Sequence, residues 1–95
     1  MKTNREKVTQ WLEDHMMDPD EVQIELFECS SYEGALVGIT DDNRAVYSYD
    51  KMIESLMRDD NMTYDEAVEW IDFNTIGSLV GKTDGPIIMY TDLYD

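Results

Sequence analysis

The first stretch of the chain has the apolar spacing of a helix. Between residues 3 and 17, apolar and aromatic side chains recur three or four positions apart and form one stripe, made of Val8, Trp11, Leu12, His15 and Met16. Thr3 and Glu6 have the spacing of a capping box, in which each side chain bonds to the backbone N–H of the other residue. Pro19 disfavours helical geometry in the residue before it and ends the predicted helix. We expect the stripe to face the core, with His15 as a core or boundary residue.

A pattern of alternation follows and predicts strands. Over residues 22–27 an apolar side chain stands at every second position, which indicates a half-buried strand. Residues 35–40 and 45–47 are predicted as the next two strands, joined by the turn formers of residues 41–44. The three strands together predict an antiparallel meander. Gly38 inside the second strand indicates a bulge or close packing.

Helical spacing returns in the second half of the chain. A helix is predicted over residues 51–60, with Asp50 as its N-cap. Its apolar side consists of Met52, Ile53, Leu56 and Met57. Asn61 can adopt the left-handed conformation that closes a helix, so we expect a sharp break between this helix and the next one.

The next helix, from Tyr64 to about Ile76, has the strongest start signal in the chain. Thr63 and Glu66 form a second capping box. The residues at the two positions of a hydrophobic staple are Met62 and Ala67. Both signals place the start of the helix at the same residue.

The sides of this helix differ from those of an ordinary amphipathic helix. At about 100° per residue, the apolar side is formed by Tyr64, Ala67, Val68, Ile71 and Thr75. Asp65, Glu69 and Asp72 form an acidic ridge beside it, whereas Trp70 and Phe73 point away from it. We expect another element to cover the two rings; the alternative is that they are exposed among acids as binding anchors.

The order of the elements sets the fold class. Residues 86–90 form a short apolar run, predicted to be a buried strand that joins the sheet. We therefore predict a single domain over residues 1–95 of the α+β class, in which a small, mostly antiparallel sheet of three to four strands is packed by about three helices. The acidic tail, residues 91–95, is expected to be mobile at its end.

Charge narrows the kinds of partner. The chain has 22 acidic and 7 basic residues and a formal net charge of -15. Such a field repels nucleic acid and anionic membranes and attracts basic protein surfaces, although the acidity can also serve solubility alone. With Cys29 as the only cysteine, no disulfide can form within the chain. The N-terminus has no apolar signal segment and no apolar run approaches membrane length, so we expect a cytoplasmic protein.

Known catalytic and metal motifs do not fit. Gly81-Lys82-Thr83 resembles the end of a phosphate-binding loop, but the first glycine of that motif is missing at position 76. Asp59, Asn61 and Thr63 alternate like calcium ligands, yet a helix begins where the loop should continue. One histidine and one cysteine give a poor zinc ligand set. We therefore predict no catalytic residue, cofactor or metal, and expect a non-enzymatic protein.

The acidic surface is the functional candidate. Carboxylates four residues apart on a helix lie about 6 Å apart along its axis and can imitate a row of DNA phosphates, which are spaced about 3.4 Å apart. The predicted partner-binding residues are Asp59, Asp60, Asp65, Glu66, Glu69, Trp70, Asp72 and Phe73. The predicted partner is a protein with a basic surface, with no direct binding to nucleic acid or membrane.

A resemblance supports this view. The run from Gly38 to Met52 and the run from Met62 to Ile76 look like a family of short acidic, mostly uncharacterised proteins from bacteria, phages and mobile elements. The resemblance implies a small α+β fold and supplies no catalytic residues. By size and charge it suggests an inhibitor of the anti-CRISPR or anti-restriction type that acts as a DNA mimic. The alternative is an adaptor that docks a partner, or a second copy of itself, through Trp70 and Phe73.

Overall fold

The computed structural model describes residues 3–91 and confirms the α+β class. Along this part of the chain the elements are α1 (Asn4–Asp14), a 3-10 turn (Ser30–Ala35), β1 (Leu36–Ile39), β2 (Ala45–Ser48), α2 (Tyr49–Asp59), α3 (Tyr64–Trp70), a π-helical segment (Ile71–Ile76), a second 3-10 turn (Gly77–Leu79) and β3 (Ile87–Met89). The first 3-10 turn includes Ala35, which the sequence predicts as the start of a strand. Residues 92–95, the rest of the predicted mobile tail, lie outside the described part.

The sheet of the described chain has the order β1-β2-β3 and is mixed. β1 and β2 form the predicted antiparallel hairpin, and the register shifts between Leu36 and Gly38, which confirms the predicted bulge. The hairpin turn contains Asn43 with a φ of 63°, in the left-handed region that asparagine tolerates. β3 joins β2 in parallel, with Val46 opposite Ile87, so the apolar run at residues 86–90 does supply a strand. The predicted burial is wrong for its end, because Met89 and Tyr90 are exposed.

The strand predicted over residues 22–27 is wrong. This segment has no regular secondary structure and pairs with no strand of the described chain, and the predicted meander is therefore reduced to one hairpin. Side chains take the place of a ladder partner: Arg5 Nη1 donates to the carbonyl of Ile24 at 2.9 Å, and the N–H of Phe27 donates to the Tyr47 hydroxyl at 3.2 Å. The alternation of apolar residues remains meaningful, because Ile24 is buried in the core.

The end of α1 also differs from the prediction. The helix ends at Asp14, and Met16 has a φ of 59° and is almost fully exposed. His15 is exposed and stacks on Trp11 with ring centroids 4.1 Å apart, so it is not a core residue. Of the predicted stripe, only Val8 and Leu12 are fully buried.

Helix caps are the best-predicted features of the fold. Both capping boxes, Thr3 with Glu6 and Thr63 with Glu66, are present, and Asn61 has the predicted left-handed conformation with a φ of 54°. The N-cap of α2 is Ser48 and not Asp50, because Ser48 Oγ accepts the N–H of Lys51. Asp50 instead lies in the first turn, where a carboxylate interacts favourably with the helix dipole.

One core joins the described elements. Its buried apolar residues are Val8, Leu12, Ile24, Tyr32, Ala35, Ala45, Tyr47, Met52, Ile53, Leu56, Ala67 and Ile71. Tyr32 and Tyr47 are among the largest of them, and Phe27 packs against both, with ring centroids 5.8 and 4.7 Å away. The core therefore contains an aromatic group that extends toward α3.

The cap of α3 is expected to contribute measurably to stability. Thr63→Ala removes the hydroxyl that accepts the N–H of Glu66, and we expect a loss of about 1 kcal/mol in the free energy of unfolding. Urea denaturation measures this loss. A suitable control is Thr9→Ala, since Thr9 lies inside α1 and bonds only to the carbonyl of Arg5. Equal losses in the two variants would contradict a special role for the cap.

Candidate protein-binding surface

The helix that begins at Tyr64 changes its winding halfway. The sequence predicts one regular helix to about Ile76. The structure is α-helical only to Trp70 and is π-helical over Ile71–Ile76. In a π-helix the hydrogen bonds run from residue i to i+5, so each residue turns by a smaller angle than in an α-helix. An unbroken α-helix would place Ile76 between Asp65 and Glu69 on the acidic side. The wider winding instead lets Ile76 pack against the core.

Trp70 packs against the core on one side of its ring. Its ring lies edge to face with Tyr32, at a centroid distance of 6.1 Å and an angle of 82°. Tyr32 is buried and its hydroxyl bonds to Thr75 Oγ1 at 2.8 Å. Trp70 is therefore half-buried, and the predicted cover exists for this ring, although only in part.

Phe73 is not covered. It is 82% exposed, so the expectation that another element packs on both rings is wrong for this residue. It borders a shallow depression of about 320 Å³, whose lining consists of Met62, Glu66, Glu69, Trp70, Phe73 and Asn74. We call this feature the Trp70–Phe73 depression. The structure thus brings four of the predicted site residues to one place, with Met62 and Asn74 as two further members.

The carboxylates of the depression differ in how firmly they are held. Glu66 Oε1 accepts the backbone N–H of Thr63 at 2.9 Å, and hydrogen bonds from the backbone and hydroxyl of Thr63 lower the pKa of Glu66. Glu66 therefore has a fixed position and keeps its charge into more acidic solution. Glu69 is exposed and has no ion pair with another residue of the described chain.

Asp59 and Asp60 bond to other residues of the chain and do not line the depression. Asp59 pairs with Arg58 at 2.9 Å, and that guanidinium lowers the pKa of the carboxyl. Asp60 accepts a hydrogen bond from Ser31 Oγ at 2.9 Å. Both carboxylates stay on the surface, so they add to the negative field beside α3 without belonging to the site.

Asp65 and Asp72 are exposed, and Asp72 borders a second aromatic group. Burial raises the pKa of Tyr49, and the nearby charge of Asp72 raises it further. The Tyr49 ring lies 4.8 Å from that of Tyr90, and Tyr64, on the same side, is 58% exposed. Of the predicted ridge, Glu69 lines the Trp70–Phe73 depression and Asp72 lies near these tyrosines. Sequence patterns missed this group because its members come from α2, α3 and the chain after β3.

A larger groove of about 840 Å³ lies between α1, the segment 22–27 and the hairpin turn. Its two arginines are engaged: Arg5 bonds to the carbonyl of Ile24, and Arg44 Nε donates to the carbonyl of Gly85 at 2.9 Å. Lys82, from the sequence that resembles a phosphate-binding loop, forms an ion pair with Glu25 at 3.0 Å. Basic groups that border this region therefore hold segments of the chain together.

Among residues 3–91, no group of three or more His, Cys, Asp or Glu side chains is arranged to hold a metal ion. The helices of the same residues include none with the length and apolar character needed to cross a membrane.

The known proteins give no guide to the role of this surface. Comparison of the chain with protein-family models, with curated proteins and with solved structures finds no match.

Proposed function

We propose that this protein binds a basic surface of another protein through the face formed by α3 and the π-helical segment. The observation that carries the proposal is the 82% exposure of Phe73 beside two carboxylates, Glu66 and Glu69. An apolar ring in a polar rim is typical of a binding anchor, and the surrounding carboxylates select for positive charge. The activity needs no catalytic residue, cofactor or metal.

The charge of the chain argues against the two simpler uses of this face. Docking of two copies through it would bring the Glu66 and Glu69 carboxylates of each close to those of the other, and like charges at an interface are costly. A role in solubility alone would explain the acidic residues, but it would not explain why the Phe73 ring is exposed. A basic partner accounts for both the charge and the ring.

The partner that suits this surface best is a nucleic-acid-binding protein. The surface presents Asp65 and Glu69 four residues apart, about 6 Å along the helix axis, and neither has an ion-pair partner among residues 3–91. Such carboxylates can occupy a groove that normally receives phosphates. We propose that the protein blocks such a groove in the cytoplasm of a bacterium, in the manner of inhibitors from phages and mobile elements.

Capture from a bacterial lysate tests the proposal. The immobilised protein should retain a basic nucleic-acid-binding protein at low salt and release it at high salt, since screening weakens attraction between exposed charges. Duplex DNA should compete with the immobilised protein for this partner. Retention that does not depend on salt, or a partner that binds DNA and this protein together, would contradict the proposal.

A matched pair of variants locates the binding face. Asp65→Asn, Glu69→Gln and Asp72→Asn together should reduce affinity for the captured protein about tenfold, a loss of roughly 1.4 kcal/mol. The control removes three charges that are also exposed, by Glu13→Gln, Asp20→Asn and Asp41→Asn. Calorimetric titration of both variants measures the difference. Equal losses would show that only the net charge matters.

A further inference from the structure

We infer that the Trp70–Phe73 depression is a subsite for an arginine side chain of the partner. The inference rests on the proposed function and adds the chemical identity of the group that enters this site. Three features of the depression carry it: the hydrogen-bond acceptors in the lining, the two rings, and a lining to which the described chain contributes no basic residue.

The acceptors in the lining suit a cation. Glu66 is held by the capping box with one oxygen bonded to Thr63, which leaves its other oxygen for a ligand. Glu69 has no ion-pair partner among residues 3–91. Asn74 Nδ2 donates to the carbonyl of Trp70 at 3.1 Å, so the amide is fixed with its oxygen free to accept. These groups can accept several N–H bonds from one ligand.

The two rings distinguish arginine from lysine. Trp70 is held by its edge-to-face contact with Tyr32, and Phe73 stands exposed on the next turn. A guanidinium is flat and weakly hydrated, so it can stack on a ring while it donates to carboxylates in its own plane. A lysine ammonium is a strongly hydrated point charge and gains less from such a lining.

The arginines of the chain itself are used elsewhere. Arg58 pairs with Asp59, and Arg5 and Arg44 donate to backbone carbonyls. Within residues 3–91, therefore, no arginine of this chain lines the depression, and an arginine that enters it would belong to the partner.

Peptides of equal length and charge test the inference. In one peptide every basic residue is arginine, and in the other every one of these positions holds lysine. Calorimetric titration of the whole protein at low salt should show about five- to tenfold tighter binding of the arginine peptide. Phe73→Leu, which keeps an apolar side chain but removes the ring, should abolish this preference, because arginine-peptide binding then weakens more than lysine-peptide binding does.

The control is Tyr64→Leu, which removes an exposed ring of α3 that does not line the depression. It should keep the preference for arginine. Equal binding of the two peptides by the unmodified protein would overturn the inference and leave the proposed function standing. A preference that persists in Phe73→Leu, or is lost in Tyr64→Leu, would also overturn it. Failure of both peptides to bind would overturn the proposed function as well.

Discussion

Phe73→Ala is expected to weaken binding to the basic partner about 30-fold or more without destabilising the protein. A central aromatic anchor typically contributes at least about 2 kcal/mol to binding. Because Phe73 is 82% exposed in the free protein, its removal leaves no cavity, and we expect the free energy of unfolding to change by less than about 0.5 kcal/mol. Calorimetric titration against the captured protein and urea denaturation measure the two quantities.

The matched control for this variant is Val80→Ala. Val80 is 81% exposed and lies outside the Trp70–Phe73 depression, so its truncation removes an equally exposed apolar side chain from another place. Affinity should be unchanged. If Val80→Ala weakens binding as much as Phe73→Ala does, the interaction depends on general surface hydrophobicity and the proposed anchor is wrong.

The second large effect is a loss of stability in alkaline solution. Burial raises the pKa of Tyr32 from 10.0 to about 12, since the core disfavours the phenolate. The folded protein therefore holds this proton more tightly than the unfolded chain does. The resulting stability, roughly 2–3 kcal/mol, is fully present below pH 10 and is lost as the pH rises from about 10 to about 12. Urea denaturation at a series of pH values measures it.

Substitution of the tyrosine separates ionisation from hydrogen bonding. Tyr32→Phe should reduce the alkaline loss without removing it, because burial also raises the pKa of Tyr47. At neutral pH the substitution should cost about 1–3 kcal/mol, because the buried Thr75 hydroxyl loses its partner. Adding Thr75→Val should recover part of that cost, since both polar groups are then gone. Tyr64→Phe serves as the control, because Tyr64 is exposed. An alkaline loss of the same size in Tyr32→Phe would show that other groups cause it.

Local signals in the sequence were reliable where local contacts decide the structure. The capping box at Thr63 and Glu66, the bulge at Gly38 and the left-handed Asn61 each depend on residues close in sequence, and all are present. The segment 22–27 failed because its hydrogen bonds go to side chains far away along the chain. Alternation of apolar residues shows which side is buried, but it does not show whether a strand lies alongside.

The candidate site was predicted in part for the same reason. Helical spacing places Glu66, Glu69, Trp70 and Phe73 near one another, and the structure brings them to one depression. Asn74 was not predicted as a site residue, because the position of its side chain depends on the hydrogen bond to the Trp70 carbonyl and on the π-helical segment. Helical position alone also could not show that Tyr32 would hold one ring and leave the other exposed.

The parallel pairing of β2 and β3 has a consequence for the order of folding. Val46 pairs with Ile87, so 87 − 46 = 41 positions separate the partners, whereas the hairpin of β1 and β2 closes over a short turn. Longer loops have a higher entropic cost of closure, and such contacts form late. We expect β3 to dock last, so a newly made chain has an open β2 edge for a time. That edge can pair with other chains, which makes the interval before β3 docks the stage most open to aggregation.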